Sequence, residues 1–151
     1  HLTDDALIGF NALAYVLPPL RSNTDKKALQ EGLQDGTIDA ICSHHEPLAK
    51  TAKQAPFAEC KPGISNFDTF MGLACQLVKE GILTPTQLVE KIALNPAKIA
   101  GIEASYHQTG GAVLVDPSLT WTVTKESMMS QGKNTPFINS ELTGKVEQVY
   151  F

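Results

Sequence analysis

The chain holds little that could staple it, grip a nucleic acid or cross a membrane. Its three cysteines, Cys42, Cys60 and Cys75, are odd in number and form no C-x-x-C unit. That excludes a fully paired disulfide framework and predicts buried free thiols in a reducing, cytoplasmic setting. Arginine is scarcer still, with Arg21 alone, and 12 Lys+Arg stand against 16 Asp+Glu for a formal charge of −4. With no basic run to meet a phosphate backbone, no nucleic-acid partner is expected. No apolar run approaches the roughly 20 residues that span a bilayer, so no transmembrane helix or membrane partner is expected either. There is no internal repeat of the kind that builds solenoids.

What is present is ordinary. A composition of 42% hydrophobic and 19% charged residues, with 11 Gly and 9 Pro, argues against disorder and collagen-like repeats. A chain of 151 residues can hold a core without staples, yet this one opens on His1 rather than Met. It reads as a piece of a longer protein.

The pattern along the chain predicts its elements. Thr3, Asp4 and Asp5 precede apolar positions up to Phe10, a short helix ended near Gly9. Residues 12–17 form an apolar run closed by Pro18-Pro19, which reads as a buried strand. Asn23 or Thr24 caps a helix with Ala28, Leu29 and Leu33 on one face and Gly36 as its stop. Residues 37–42 (T-I-D-A-I-C) are the best strand of this half. A long stretch to Ser65 has three prolines and no periodicity, the kind of loop that carries function. Asn66 caps a helix through Lys79, Thr84-Pro85 opens another, and Asn95-Pro96 opens a third ending at Gly101. Short β runs follow at 112–115, 120–123 and 145–150. The domain division is therefore 1–101, strand–helix units with following helices, and 102–151, a β-rich segment. Strand–helix alternation implies an α/β fold with a parallel sheet, and two strands are too few to close one.

The cluster Ser43-His44-His45-Glu46 follows the 37–42 run, where parallel α/β folds place their chemistry. Two imidazoles and a carboxylate suit zinc or acid–base work. Adjacent residues on an extended chain face opposite ways, however, and the other histidines, His1 and His107, are far off in sequence. No complete metal site is expected within this segment. Glu46 with Glu59 is a weak acid–base candidate, and Ser43 beside His44 lacks the G-x-S-x-G elbow of a nucleophile. Gly110-Gly111 reads as a turn rather than a phosphate loop. Arg21 suits either a carboxylate clamp or a bond to loop carbonyls.

Several stretches together resemble one family. Residues 18–22 (P-P-L-R-S) and 31–41 (E-G-L-Q-D-G-T-I-D-A-I) are similar to the segment before the last barrel metal ligand of dihydroorotases. Residues 56–59 (P-F-A-E), Gly63-Ile64, 95–99 (N-P-A-K-I) and 132–137 (G-K-N-T-P-F) continue the likeness in order, and 144–146 (G-K-V) resembles the last strand. The resemblance implies the C-terminal part of a (β/α)8 amidohydrolase-type barrel plus strands of a small β-rich domain. The family's upstream metal ligands would then precede His1. It also implies zinc as the cofactor of active members, with none expected in this segment.

The departures carry the functional expectation. After the 37–41 run (T-I-D-A-I), the family typically reads Ala/Ser-Thr-Asp-His-Ala-Pro-His; here the chain reads Cys42-Ser43-His44-His45-Glu46-Pro47-Leu48. By that resemblance His44 stands at the Asp that binds metal and shuttles the proton. Leu48 stands at a substrate-binding His, and Leu17 replaces the Asn before Pro-Pro-Leu-Arg. His45 and Gly63 keep the pattern. Losing a general base costs typically 10²–10⁴-fold. One reading is therefore an inactive dihydroorotase-like protein of pyrimidine biosynthesis, with no catalytic residue of its own here, that partners aspartate transcarbamoylase as some such homologues do. A second is a working zinc-dependent cyclic amidohydrolase hydrolysing dihydroorotate to carbamoyl aspartate, and a third an independent small domain. A fragment of this kind is expected to associate with its own missing N-terminal part or with another copy.

Overall fold

The computed structural model describes residues 1–102 and 111–150, a mixed α/β chain. Its elements are α1 (Asn23–Asp35), α2 (Phe67–Lys79), α3 (Pro85–Val89), α4 (Asn95–Ile99), β1 (Ala112–Thr122) and β2 (Glu141–Tyr150), with short 3₁₀ turns in the first half. Among the described residues no helix is long and apolar enough to cross a membrane. The chain divides into two compact units. One is His1–Ala28, Ser43–Phe70 and Thr122–Glu141; the other is Leu29–Cys42, Met71–Trp121 and Leu142–Phe151.

The first unit is mostly irregular chain. The helix expected from Thr3 is a single 3₁₀ turn, Asp4–Leu7, because the Thr3 hydroxyl bonds Asp5 instead of capping a backbone N–H. The strand expected at 12–17 is also absent. Residues Ala12–Ala14 form a 3₁₀ turn capped by the Asn11 side chain, which accepts from Leu13 N. Beyond it the Tyr15 carbonyl accepts from Gly63 N at 2.9 Å and from Lys53 Nζ at 3.2 Å. Burial pushes the Lys53 ammonium below its ordinary pKa, and the Ala12 and Tyr15 carbonyls that accept from it partly offset the lost hydration. At α1 the cap is Ser22, not Asn23 or Thr24. Its hydroxyl accepts from Asp25 N while the Asp25 carboxylate accepts from Ser22 N, a reciprocal arrangement that satisfies two otherwise orphaned donors.

The second unit has the larger apolar cluster: Leu33, Ala74, Leu77, Leu83 and Leu88, with Ile38, Ile41, Val78, Ile82 and Ile92 packed on it. Of the face expected on α1 only Leu33 is buried; Ala28 and Leu29 are exposed. Residues 37–42 do not form a paired strand. Their backbone groups go to helices: Ile38 N donates to Gly32 O, Ile41 N to Lys91 O, and Asn95 Nδ2 to Asp39 O. The buried Lys91 adds its ammonium, which donates to Ile38 O. Cys42, at the end of this segment, is exposed, while Cys60 is buried and Cys75 half-buried, so the thiols are free but not all interior.

The later helices follow their signals. Thr84 and Gln87 form the capping box of α3, with Pro85 in its first turn. Asn95-Pro96 does not start a separate helix; a π-helical turn, Glu90–Leu94, joins α3 to α4. Proline lacks an N–H and crowds the carbonyl four residues back, and a widened turn before Pro96 relieves both. The runs at 112–115 and 120–123 are one strand, because Asp116 Oδ1 accepts from Ser118 N and Leu119 N and carries the chain past Pro117. Contacts between Thr120 and Thr143 and between Val123 N and Ser140 O run in opposite chain directions, so β1 and β2 are antiparallel. Residue 151 and residues 103–110, including His107 and Gly110, lie outside the described residues.

Helix α2 meets β2 at a glycine contact. A Cβ on Gly144 would lie 2.7 Å from Cys75 Cβ and 2.8 Å from its Sγ, and Gly144 holds φ +101°. Gly144→Ala should therefore lower stability by about 2 kcal/mol or more, from strain plus overpacking. Urea unfolding of the variant tests this; an unchanged midpoint would refute the close approach.

Candidate functional site

The loop after residue 42 is built by bonds to distant backbone. His45 forms an isolated parallel bridge with Ile64, and Glu46 N donates to Ile64 O at 2.8 Å. Ser65 N in turn donates to Asn134 O at 2.9 Å. Asn134 is buried, and its carboxamide accepts from Leu48 N at 2.7 Å and donates to Glu46 O at 2.9 Å and Gly63 O at 3.0 Å. Gly63 is where two backbones nearly touch. At φ +130°, a Cβ there would lie 2.9 Å from Glu46 Cβ and 3.0 Å from Glu46 Oε2. Only glycine leaves that space, which gives the position a physical reason beyond pattern.

The two histidines are used differently. His44 adopts a left-handed conformation, φ +46°, so the chain is not extended there and the opposed-face argument does not apply. Its Nε2 lies 3.8 Å from Glu46 Oε1, and both side chains are about half exposed. His45 turns to α2: its Nδ1 accepts from Asn66 N at 3.1 Å and Phe67 N at 3.0 Å. An imidazole thus satisfies donors that the first turn of a helix leaves unpaired, and the tautomer is fixed with Nε2 protonated while His45 is neutral. The Phe67 ring stands edge-on to it at 5.5 Å.

The remaining candidates are scattered around this loop. Leu48 is half-buried and held through its N–H; Leu17 is exposed. Among the described residues the Arg21 guanidinium meets a carboxylate of α1 rather than a loop carbonyl. Its Nε lies 3.5 Å from Asp25 Oδ2 in an exposed pair, which contributes little to stability. The Arg21 backbone carbonyl accepts from Asp4 N. Asn134 and Gly132, which sequence reasoning did not single out, complete the loop together with Asn66, expected only as a helix cap, whose Nδ2 donates to Ser43 O. Asn134 and Gly132 sit in the G-K-N-T-P-F run, but nothing local in it points to residues 46–48.

The donor set does not fit a complete zinc centre. Such a centre takes three protein ligands and an open position. Among the described residues there is no group of three or more His, Cys, Asp or Glu side chains able to hold one ion. His44 offers one imidazole beside one carboxylate, and His45 Nδ1 is already occupied by two N–H donors.

No protein-family model matches the chain. It is 44% identical over 148 residues to a dihydroorotase of Syntrophus aciditrophicus, covering 96% of this chain and 35% of that protein. It is 41% identical over 148 residues to a dihydroorotase-like protein of Pseudomonas aeruginosa, with the same two shares. Among solved structures, L-hydantoinase (dihydropyrimidinase) from Arthrobacter aurescens superposes with a TM-score of 0.86 at 23% identity, covering 99% of this chain and 35% of that one. Dihydroorotase from Saccharomyces cerevisiae, in complex with 5-fluoroorotic acid, gives 0.79 at 18% identity, covering 97% and 40%. The chain therefore spans about a third of the length of these curated relatives, and its fold is that of the corresponding portion of hydantoinase and dihydroorotase structures.

Two features near the loop make measurable predictions. Ser65 is wholly buried, and its Oγ has no hydrogen-bond partner. An unsatisfied buried hydroxyl costs about 1–3 kcal/mol, so Ser65→Ala should be neutral or stabilising. A loss above about 1 kcal/mol in chemical denaturation would show that the hydroxyl is satisfied after all. Asp68, in the first turn of α2, accepts from Met129 N, Ser130 N and Ser130 Oγ. Burial raises its carboxyl, but these bonds together outweigh burial and hold it below the ordinary 3.8. A lowered folded value adds stability above the unfolded pKa, and that stability is lost as pH falls through the folded one. Asp68→Asn should then be less stable at pH 7 and less acid-sensitive below pH 4; parallel acid profiles would count against the tie.

Proposed function

We propose that this chain is the C-terminal part of a dihydroorotase-like barrel protein of pyrimidine biosynthesis that has lost its hydrolytic centre and supports aspartate transcarbamoylase as a scaffold. The observation that carries the reading is the half-exposed His44, paired with Glu46 where the resemblance places a metal-binding carboxylate. A carboxylate on a metal-bound water both helps hold the ion and accepts the proton. A neutral imidazole brings no negative charge. By the same resemblance Leu48 and Leu17 stand at positions that are polar in the family, and a buried substrate carboxylate left unpaired is penalised further. The relatives that carry the name dihydroorotase support the reaction class from which this member would have departed.

A second reading is favoured by one specific observation. Glu46 supplies a carboxylate 3.8 Å from the His44 imidazole, and His45 and Gly63 keep the family pattern. In that reading the full-length protein is a zinc-dependent hydrolase of dihydroorotate or another cyclic amide. Under either reading, 1–101 belongs to the barrel and 102–151 to the β-rich segment, and the protein is cytoplasmic. The two-stranded β1–β2 sheet is then completed by the rest of the protein or by another copy, because two strands alone are marginal in water.

One experiment separates the readings. Full-length protein, supplied with zinc, is assayed for dihydroorotate hydrolysis with and without aspartate transcarbamoylase, beside a His44→Asp variant. The scaffold reading expects wild-type turnover at least about 100-fold below an active dihydroorotase, and co-elution with the transferase. Turnover within tenfold of an active enzyme and abolished by chelation would sink it. Failure to meet the transferase at micromolar concentration would remove the partner claim.

A further inference from the structure

We infer that Asn134 is the positioning residue of the candidate loop, and that it fixes residues 46–48 through their backbone alone, whatever side chains they carry. A carboxamide has two donor protons and an acceptor oxygen with two lone pairs. Asn134 uses both donors and the oxygen, and every partner is main chain: Leu48 N, Glu46 O and Gly63 O. These partners lie 86, 88 and 71 residues away in sequence, so none is a local capping contact.

The geometry makes this one side chain decisive. A single Nδ2 reaches the carbonyls of Glu46 and Gly63, and so reinforces, beside the Glu46 N–Ile64 O bond, the spacing between the two segments that carry them. That spacing is the tight one: Gly63 lies against Glu46 with no room for a Cβ. Two carbonyl oxygens turned toward one another repel unless a donor lies between them, and buried acceptors left unpaired are costly. On the same side Gly132 lies against the loop, where a Cβ would be 2.6 Å from Leu48 N and 2.7 Å from Pro47 Cβ. Asn134 itself is anchored independently of its carboxamide, because its backbone carbonyl accepts from Ser65 N.

None of these bonds involves the His44, His45, Glu46 or Leu48 side chains. The backbone of residues 46–48 is therefore held by a contact that does not depend on the side chains at 44 and 48. This conclusion does not rest on the proposed function, since it concerns where residues 46–48 lie and not what they do.

The test is amide hydrogen exchange, resolved at single residues, on full-length protein carrying Asn134→Ala. Exchange at Leu48 should rise about tenfold or more, the scale expected for losing one buried hydrogen bond. Ser65, bonded to the retained Asn134 carbonyl, and Glu46, bonded to Ile64, should stay within about twofold of wild type. The imidazole resonances of His44 and His45 should shift, which a merely structural residue elsewhere would not cause. An unchanged Leu48 rate, or equal loss at all three amides, would overturn the assignment. A His44→Asp/Leu48→His double variant keeps the test open if Asn134→Ala does not fold. Its position-48 amide should exchange as slowly as in wild type, and release there would show that side chains set the frame.

Discussion

Two carbonyl oxygens, those of Glu46 and Gly63, converge on one carboxamide, and the candidate loop depends on that convergence. Irregular chain must still satisfy its backbone polar groups when buried, and a loop has no ladder with which to do so. Here one asparagine does the work of a neighbouring strand. The consequences spread outward. Gly63 must lack a side chain, Gly132 must lie flat against Pro47 and Leu48, and Ser65 is drawn fully inside with its hydroxyl unpaired. His45, carried on the same short parallel bridge, reaches the first turn of α2 and takes its two leading N–H groups.

The second unit solves the same problem with a lysine. Residues 37–42 are extended but meet no strand, so their groups are satisfied by Gly32, Lys91 and Asn95. Lys91 is buried, which places its apolar stem among hydrophobic neighbours while its charge meets the Ile38 carbonyl. A charge taken out of water needs such a partner, and a carbonyl already lacking a donor gains as much as the ammonium does. Polar side chains, Asn134 from irregular chain and Lys91 from a helical turn, thus stand in for sheet neighbours in the two units.

That substitution explains which parts of the architecture were legible in the sequence. Helix signals are local. The Thr84–Gln87 box and Pro85 act within a few residues and appear where pattern places them, whereas Asn66 precedes α2 with its carboxamide donating to the distant Ser43 O. A strand is a relation between segments, so the apolar runs at 12–17 and 37–42 showed extended or apolar character without showing a partner. At the loop, prolines and missing periodicity marked residues 43–65 as irregular, and side-chain chemistry marked His44, His45 and Glu46. Asn134 left no such mark, because its role exists only through contacts 71 to 88 residues away. Ser22 was overlooked for a different reason: with Asn23 and Thr24 beside it, three good caps compete, and the reciprocal bond to Asp25 decides between them.

The conformation at position 44 bears on how its chemistry could change. A φ of +46° excludes β-branched and bulky apolar residues and favours the short set that tolerates the left-handed region, with Asn, Asp and His enriched in it. The Asp that the resemblance puts there and the His found there both belong to that set. Exchanging one for the other therefore needs no movement of the backbone that Asn134 and Gly63 hold. Backbone geometry does not discriminate between the two residues, but charge does. An ionised carboxylate supplies a negative charge and a proton acceptor, whereas a neutral imidazole supplies only the acceptor. Here a carboxylate comes from Glu46 instead, whose Oε1 lies 3.8 Å from His44 Nε2 and whose Cβ lies against Gly63. The position from which a carboxylate is presented matters, since general-base catalysis requires the acceptor within hydrogen-bond reach of the proton it takes. Asn134 and Gly63 hold the backbone from which Glu46 presents its carboxylate, and the conformation at position 44 accepts either Asp or His without disturbing it.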